Sequence, residues 1–180
     1  MLGRWLVVVF CAVLTACASV NSALHRDPTA IAMLAPTEGN TASGVVEFRQ
    51  DGDTMQINIR IEGLEPNAVH GLHIHEIGDC RAPDASSAGE HFNPQGSRHG
   101  GPRDNLRHAG DLGNVNSDAD GSAQSEIEVS DISLGTGTNS IIGRSVIVSA
   151  QADDLVSQPS GNTGARIACG LISKNPDKFF

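Results

Sequence analysis

The sequence is poor in aromatic residues and in positive charge. It contains no Tyr, one Trp and five Phe among 180 residues, and its 12 Lys and Arg face 21 Asp and Glu, for a formal net charge of −9. No basic cluster occurs, so we do not expect nucleic acid as a partner. The long periodic runs of Leu and Ala that a helix bundle needs are also missing. Glycine is frequent, with 20 residues between short apolar stretches, which favours strands joined by turns.

The first segment of the chain has the pattern of a targeting signal. Arg4 provides a positive start, and the apolar run over residues 6–14 is too short to span a bilayer. Small residues then precede Cys17, an arrangement that resembles a bacterial lipobox. This predicts a signal peptide over residues 1–16 and lipid attachment at Cys17. The alternative is an ordinary secretory signal cleaved near Ala18, with Cys17 discarded.

Both interpretations place the following domain outside the cytoplasm. The lipobox predicts a lipoprotein of the bacterial cell envelope, which faces the periplasm or is anchored in the outer membrane, with the membrane as a partner. Residues 17–28 are polar and aperiodic, so we interpret them as a tether, followed by one domain over residues 29–180.

Two cysteines remain once Cys11 and Cys17 are assigned to the leader and the lipid site. Cys80 and Cys169 form an even pair in a compartment that is expected to be oxidising, which predicts a disulfide bond. The alternative is two free, buried thiols.

Short apolar segments predict eight strands. The clearest is residues 55–61, where Met and Ile alternate with polar residues at a period of two. The predicted strands are residues 31–35, 44–48, 55–61, 70–77, 110–116, 123–129, 141–149 and 166–172. Eight short strands separated by turn residues predict an all-β fold, an antiparallel sandwich or barrel.

Two segments are too long and irregular to be simple turns. They cover residues 78–109 and 151–164 and are rich in Gly, Pro and Asn. A structureless loop of about thirty residues in a compact domain is usually functional or disordered. The first loop holds most of the histidines, so metal ligands and a disulfide are one way to fix it.

The histidines of the domain have a spacing suited to metal binding. His73 and His75 lie two residues apart on a strand, so both side chains point to one face, although a solvated polar pair would have the same spacing. The loop adds three further imidazoles and a carboxylate, and this donor set suits zinc. These residues are His91, His99, His108 and Asp111.

Five segments carry a resemblance to a known family. They are GLHIHEIGDC at residues 71–80, GEHFNP at 89–94, RHGGP at 98–102, RHAGDLGN at 107–114 and GNTGARIACG at 161–170. Together they resemble the copper,zinc superoxide dismutases, in a bacterial secreted or lipoprotein form. The resemblance covers nearly all of the chain after the tether and implies an eight-stranded antiparallel Greek-key sandwich or barrel with two long functional loops.

The resemblance also implies a role for each matching residue. Copper ligands correspond to His73, His75 and His91; zinc ligands correspond to His91, which bridges the two metals, and to His99, His108 and Asp111. Asp153 resembles the carboxylate that links a copper-ligand histidine to a zinc-ligand histidine. Arg166 resembles the cation beside copper that receives superoxide, and Cys80 and Cys169 resemble the family disulfide. His70 matches a structural histidine that bonds to the backbone.

One expected residue is missing. The family has a fourth copper histidine where this chain has Ser149, and no nearby histidine replaces it. Because Cu(II) prefers four nitrogen or oxygen donors, we expect weaker copper binding and a shift in favour of Cu(I), with a water able to fill the gap in the oxidised state. The zinc set is complete.

The predicted function is therefore superoxide dismutation, in which two superoxide ions and two protons give O2 and H2O2 at a copper/zinc site, with Arg166 and His91 as catalytic residues. The alternative is a dismutase-like domain with little or no activity that binds zinc and Cu(I) as a metal buffer or copper carrier. A homodimer is one of the assemblies that the resemblance allows.

Overall fold

The computed structural model describes residues 30–174. Its regular secondary structure consists of strands and one short 3₁₀ turn. The predicted signal peptide, the tether and Cys17 lie outside the described residues. The strands are β1 Ala30–Pro36, β2 Ser43–Asp51, β3 Thr54–Glu62, β4 Val69–His75, β5 Asp111–Asn116, β6 Ala123–Val129, β7 Ser145–Ser149 and β8 Arg166–Ser173. The 3₁₀ turn is Ser86–Ala88.

The strands form one antiparallel sheet in the order β5-β4-β7-β8-β1-β2-β3-β6. The two edge strands, β5 and β6, approach each other, so the sheet is nearly closed into a barrel. The chain crosses the barrel between β3 and β4 and again between β6 and β7, which gives a Greek-key connectivity. The predicted all-β, eight-stranded antiparallel fold is confirmed.

The core follows the predicted alternation of apolar and polar residues. On β3, the side chains of Met55, Ile57, Ile59 and Ile61 are at most 1% exposed and fill the barrel. The residues between them point outward, where Arg60 forms an ion pair of 2.9 Å with Glu47 on β2. Burial of such apolar side chains contributes about 1.5–3 kcal/mol each, so β3 contributes strongly to the stability of the barrel.

Three strand boundaries differ from the prediction by two residues or more. β2 was predicted to end at residue 48, but it continues to Asp51. β4 was predicted to continue to residue 77, but it ends at His75 because the amide N–H groups of Glu76 and Ile77 donate to carbonyls of the following loop. β7 was predicted to begin at residue 141, but residues 141–144 form a turn with a positive φ at Gly143, and the strand begins at Ser145. Before β7 the apolar Ile141 is buried in the preceding loop, whereas after β4 Ile77 is 48% exposed.

Both long loops are present and lie outside the regular strands, at residues 76–110 and 150–165. A disulfide between Cys80 and Cys169 joins the first loop to β8, as predicted, with 5.7 Å between the Cα atoms. A small apolar cluster surrounds it and includes Ala85, Ala88 and Ile147. Within residues 30–174, no helix is long and apolar enough to cross a membrane.

Candidate metal centre

Strand β4 places two imidazoles on the outer face of the barrel. Leu72 and Ile74 point into the core, so the alternating residues His73 and His75 point outward. Both histidines are nevertheless buried, at 0% and 3% exposure, because the two loops cover this face. The second loop packs tightly against β4 at Gly71, where a Cβ would lie 2.7 Å from the Thr163 methyl group.

The four predicted zinc ligands converge on one point. Asp111 Oδ1 lies 2.9 Å from His91 Nδ1, 3.1 Å from His99 Nδ1 and 3.3 Å from His108 Nδ1. His91 Nδ1 and His108 Nδ1 are 3.5 Å apart. The 3.1 Å contact between His99 Nδ1 and Asp111 Oδ1 is not a hydrogen bond. His99 Nδ1 is buried and lacks a hydrogen-bond partner among the described residues.

This arrangement fits a zinc ion. Four donors at about 2.0–2.2 Å from a tetrahedral metal lie roughly 3.3–3.5 Å from one another. A single carboxylate oxygen cannot accept well-aligned hydrogen bonds from three ring nitrogens, and a buried ring nitrogen without a partner costs free energy. A cation among these four donors would remove both difficulties.

The carboxylate of Asp111 is held in place by the backbone as well. Its Oδ2 accepts hydrogen bonds from the amide N–H groups of Gly100, at 3.1 Å, and His108, at 2.8 Å. Burial raises the pKa of Asp111, but hydrogen bonds from His108 and His91 outweigh it and lower the pKa well below its ordinary value. Asp111 therefore stays ionised and supplies the negative charge that the imidazoles lack.

Asp153 joins this cluster to the histidines of β4. Its two carboxylate oxygens accept hydrogen bonds from His73 Nε2 at 2.8 Å and His99 Nε2 at 2.9 Å. The Asn114 side chain fixes the backbone of Asp153 through bonds of 2.7 and 2.9 Å. Gly161, at a φ of +68°, comes so close that a Cβ would overlap the Asp153 carboxylate, so this position requires glycine.

The ring nitrogens of His73, His75 and His91 form a second donor set beside the predicted zinc ligands. Because His73 Nε2 donates to Asp153, His73 Nδ1 carries the lone pair, and it is buried without a partner among the described residues. His75 Nδ1 donates to the carbonyl of Gly89 at 2.9 Å, which leaves His75 Nε2 as the free donor atom. The His73 and His91 rings are stacked, with 4.0 Å between their centroids. This donor set of imidazoles fits copper.

The two sets are in direct contact. Ligand atoms of His73, His91, His99 and Asp111 all lie within 4.8 Å of one another. This group mixes the two predicted sites and omits His108, whose Nδ1 is nevertheless within 3.5 Å of both Asp111 Oδ1 and His91 Nδ1. We therefore assign His108 to the zinc set on these distances.

Burial favours the neutral form of two of these imidazoles, His75 and His91. Desolvation lowers the pKa of His91 to about 4, although the hydrogen bond to Asp111 acts in the opposite direction. Desolvation likewise lowers the pKa of His75 well below its ordinary value, and the neighbouring His91 and Arg166 lower it further. A neutral imidazole is the form that binds metals.

Ser149 occupies the last position of β7 and faces the same site. His73 pairs with Ile147 and Leu72 with Val148, so Ser149 stands next to Gly71 on the outer face. It is 3% exposed and lines a cavity of about 100 Å³ together with His75 and His91. The structure therefore places a hydroxyl group where the resemblance implies an imidazole.

Arg166 begins β8 at the mouth of this cavity. Its guanidinium is half-buried and donates to the carbonyls of Ala85 and Gly89, each at 2.7 Å. The same Gly89 carbonyl accepts from His75, so one backbone group orients both a candidate ligand and the cation. His70 lies behind the site, where Nδ1 is 3.0 Å from the carbonyl oxygen of Ser149.

Sequence reasoning missed several residues that shape the site. The Gly89 carbonyl and Asn114 orient candidate site residues, but a backbone oxygen leaves no signal in the sequence and a lone Asn is a common turn residue. Glu90, Ser160 and Thr163 also line the cavity. The position of Glu90, directly before His91, was the one available signal, because it places a negative charge beside a candidate ligand.

The fold and the site define a class of protein: an antiparallel β-barrel with a buried cluster of histidine and aspartate side chains on its outer face that could hold metal ions. A family model described as copper/zinc superoxide dismutase matches residues 42–172. The chain belongs to this family. Membership confirms the predicted enzyme class, an oxidoreductase, and the predicted cofactors, copper and zinc.

Two nematode proteins are among the similar sequences. The extracellular superoxide dismutase [Cu-Zn] of Brugia pahangi is 41% identical over 164 residues, which cover 86% of this chain and 80% of that protein. The superoxide dismutase [Cu-Zn] of Onchocerca volvulus is 43% identical over 151 residues, which cover 78% of this chain and 94% of that protein.

Proposed function

We propose that this protein converts superoxide to O2 and H2O2 at a copper/zinc site on the outer face of the barrel. The observation that carries the proposal is the position of Asp153. Its two carboxylate oxygens bind one histidine from each donor set, so the sets form one connected site next to the cavity that Arg166 lines. Family membership supports the same reaction.

The proposed ligand sets follow the free ring nitrogens. Copper would be held by His73 Nδ1, His75 Nε2 and His91 Nε2, and zinc by Asp111 with the Nδ1 atoms of the remaining histidines, which are His91, His99 and His108. His91 belongs to both sets, so its ring would bridge the metals. Copper, when bound, supplies the site that accepts one electron and returns it.

The chain contributes charge and protons to the reaction. Superoxide is an anion, and Arg166 is the cation at the mouth of the cavity. His91 is the candidate proton carrier, because its Nε2 belongs to a ring that lines the cavity while its Nδ1 is held near Asp111. The two catalytic residues that we propose are thus Arg166 and His91.

Ser149 is the reason to expect a slower enzyme. With a hydroxyl in place of a fourth imidazole, three ring nitrogens remain for copper, and Cu(II) prefers four donors. We propose that copper binds more weakly than zinc and that turnover is reduced. The same observation favours the second candidate function, a zinc- and Cu(I)-binding protein that buffers or carries metal.

We further propose that the protein works outside the cytoplasm. The apolar segment at residues 6–14, the disulfide and the extracellular relative in Brugia pahangi support this location. Lipid attachment at Cys17, in a bacterial cell envelope, is the finer proposal. Mass spectrometry of the purified protein would test it, and an unmodified N-terminus at or near Ala18 would contradict it. The homodimer stays a prediction, to be tested by light scattering.

The deciding experiment compares the native chain with Ser149→His, both loaded with copper and zinc. The dismutation rate per bound copper and the bound metal content are measured together. Substantial activity in the native chain supports the enzyme. Activity only in Ser149→His, with zinc bound in both proteins, would reject the proposed reaction and leave the metal-binding function.

A further inference from the structure

The cavity beside Ser149 is partly enclosed by side chains and is not a shallow surface depression. Its volume is about 100 Å³, and its walls combine the rings of two candidate copper ligands with three hydroxyl groups and one guanidinium. These residues are His75, His91, Ser149, Ser160, Thr163 and Arg166. No side-chain hydrogen bond ties the Ser149 hydroxyl to another described residue, so this group is available to a guest.

The backbone around Ser149 cannot move inward to close this space. Its carbonyl oxygen is held by His70 Nδ1 at 3.0 Å, and the next two amide N–H groups donate to Ala165 and Thr163 at 2.7 and 2.9 Å. When the surroundings of a missing side chain relax only partially, a cavity remains. The small side chain of Ser149 thus leaves a permanent gap.

The gap has the size of a small ring. One water occupies about 30 Å³ in the liquid, and an apolar cavity of roughly 150 Å³ in another protein binds benzene. A cavity of about 100 Å³ therefore accommodates a five-membered heterocycle. The hydroxyls of Ser149 and Thr163 can hydrogen-bond to the ring edge that faces away from the metal.

The opposite charges of Arg166 and Glu90 at the mouth offset each other, so a neutral guest can enter as well as an anion such as superoxide. Arg166 already donates to the carbonyls of Ala85 and Gly89. The exposed carboxylate of Glu90 lines the same cavity and opposes negative charge. A neutral nitrogen donor is not repelled by Glu90 and does not need a hydrogen bond from Arg166.

We propose that the cavity beside Ser149 is a binding site for a small, neutral, imidazole-class donor, which completes the copper coordination that the chain leaves open. This inference rests on the proposed copper site, because His75 and His91 must hold the metal that the guest contacts. It adds a ligand site that no residue between 30 and 174 fills.

The test is a titration of the copper- and zinc-loaded full chain with imidazole. Visible absorption and the nitrogen hyperfine structure of the Cu(II) EPR spectrum follow binding. We expect saturation at one imidazole per copper and one additional coupled nitrogen. In Ser149→His the new side chain occupies the gap, so imidazole affinity should fall at least tenfold.

Two further variants keep the result decisive. Ser130→His adds a histidine at an exposed position outside the cavity and should bind imidazole like the native chain. Ser149→Leu fills the gap without offering a donor and should lose imidazole binding, which serves if Ser149→His does not fold. Equal imidazole affinity in the native chain and in the folded cavity-filling variants, or release of copper by imidazole, would overturn the inference.

Copper content measured before the titration separates this inference from the proposed function. A native chain that takes up no Cu(II) at the site contradicts both proposals. A native chain that binds copper and dismutates superoxide, but shows no saturable change with imidazole, retains the function and rejects the imidazole site.

Discussion

The proposed metal centre has a zinc half (His91, His99, His108 and Asp111) and a copper half (His73, His75 and His91), and the two differ in how completely their donor atoms are held. In the zinc half, Asp111 Oδ1 is within 3.3 Å of three ring nitrogens, and its other oxygen is held by two backbone amides. In the proposed copper half, His75 and His91 line a cavity of about 100 Å³ together with Ser149. The difference comes from one side chain, Ser149, which offers a hydroxyl group and not an imidazole.

This contrast shows that the residues that orient the metal ligands can be kept while one ligand is replaced. The barrel, the disulfide and Asp153 still orient His73 and His75, although one ligand position offers no imidazole. Residues that orient a ligand act through packing and hydrogen bonds, which do not depend on the missing ring. Four predictions test how far the halves are independent.

The largest effect is expected from Asp111→Asn, which removes the charge shared by the zinc half. Loss of a residue that only orients a metal ligand costs about 10–100-fold in affinity, so loss of a ligand should exceed about 100-fold for zinc. Competition with a chromophoric chelator measures this. The matched control is Asp120→Asn, on an exposed turn, which should leave zinc affinity unchanged. A loss below tenfold would show that Asp111 is not a zinc ligand.

Acid should destabilise the metal-free protein through the ring that both halves share. His91 has a folded pKa of about 4, against 6.5 for an exposed histidine. Between these values the unfolded chain binds the proton more readily, so stability falls as the pH drops from 6.5 towards 4, by up to about 3 kcal/mol. Urea unfolding at several pH values measures the trend. His91→Gln should make the slope shallower but not abolish it, because the pKa of His75 is lowered as well. An equally steep slope in this variant would contradict the contribution of His91.

Asp153→Asn should weaken both halves at once, because one carboxylate orients His73 and His99. We expect a loss of about 10–100-fold in the affinity for each metal. Separate titrations with zinc and with Cu(I) measure the two effects. Asp154→Asn is the matched control, since this neighbouring carboxylate is exposed and bonds only within its own loop. An effect on zinc alone would show that the halves are not joined through Asp153.

The sequence predicted the fold and provided the candidate ligand residues, because both follow repeated patterns along the chain. Alternation on β3 and paired histidines on β4 follow from the period of a strand. The boundaries of β4 and β7 were wrong because isoleucines beyond a strand do not show where the hydrogen bonds leave the sheet. The Gly89 carbonyl and the cavity beside Ser149 could not be predicted, since both depend on how two distant loops meet over the barrel.

The smallest effect concerns the charge at the mouth of the copper half. Arg166 and Glu90 both line the cavity and carry opposite charges, and residues 155–164 contain no Lys or Arg. Guidance of superoxide should therefore be weak, and the dismutation rate should fall only modestly with added salt.

Glu90→Gln would sharpen this prediction, because it leaves Arg166 unopposed. Unit charges about 8 Å apart in water interact by about 0.5 kcal/mol, so the rate at low salt should rise roughly twofold and become more dependent on salt. Glu126→Gln, an equal charge change at an exposed position on β6, should have a smaller effect. Stopped-flow decay of superoxide at several salt concentrations provides the measurement. A steep salt dependence in the native chain, or identical rates for both variants, would show that Glu90 does not control the charge that superoxide meets.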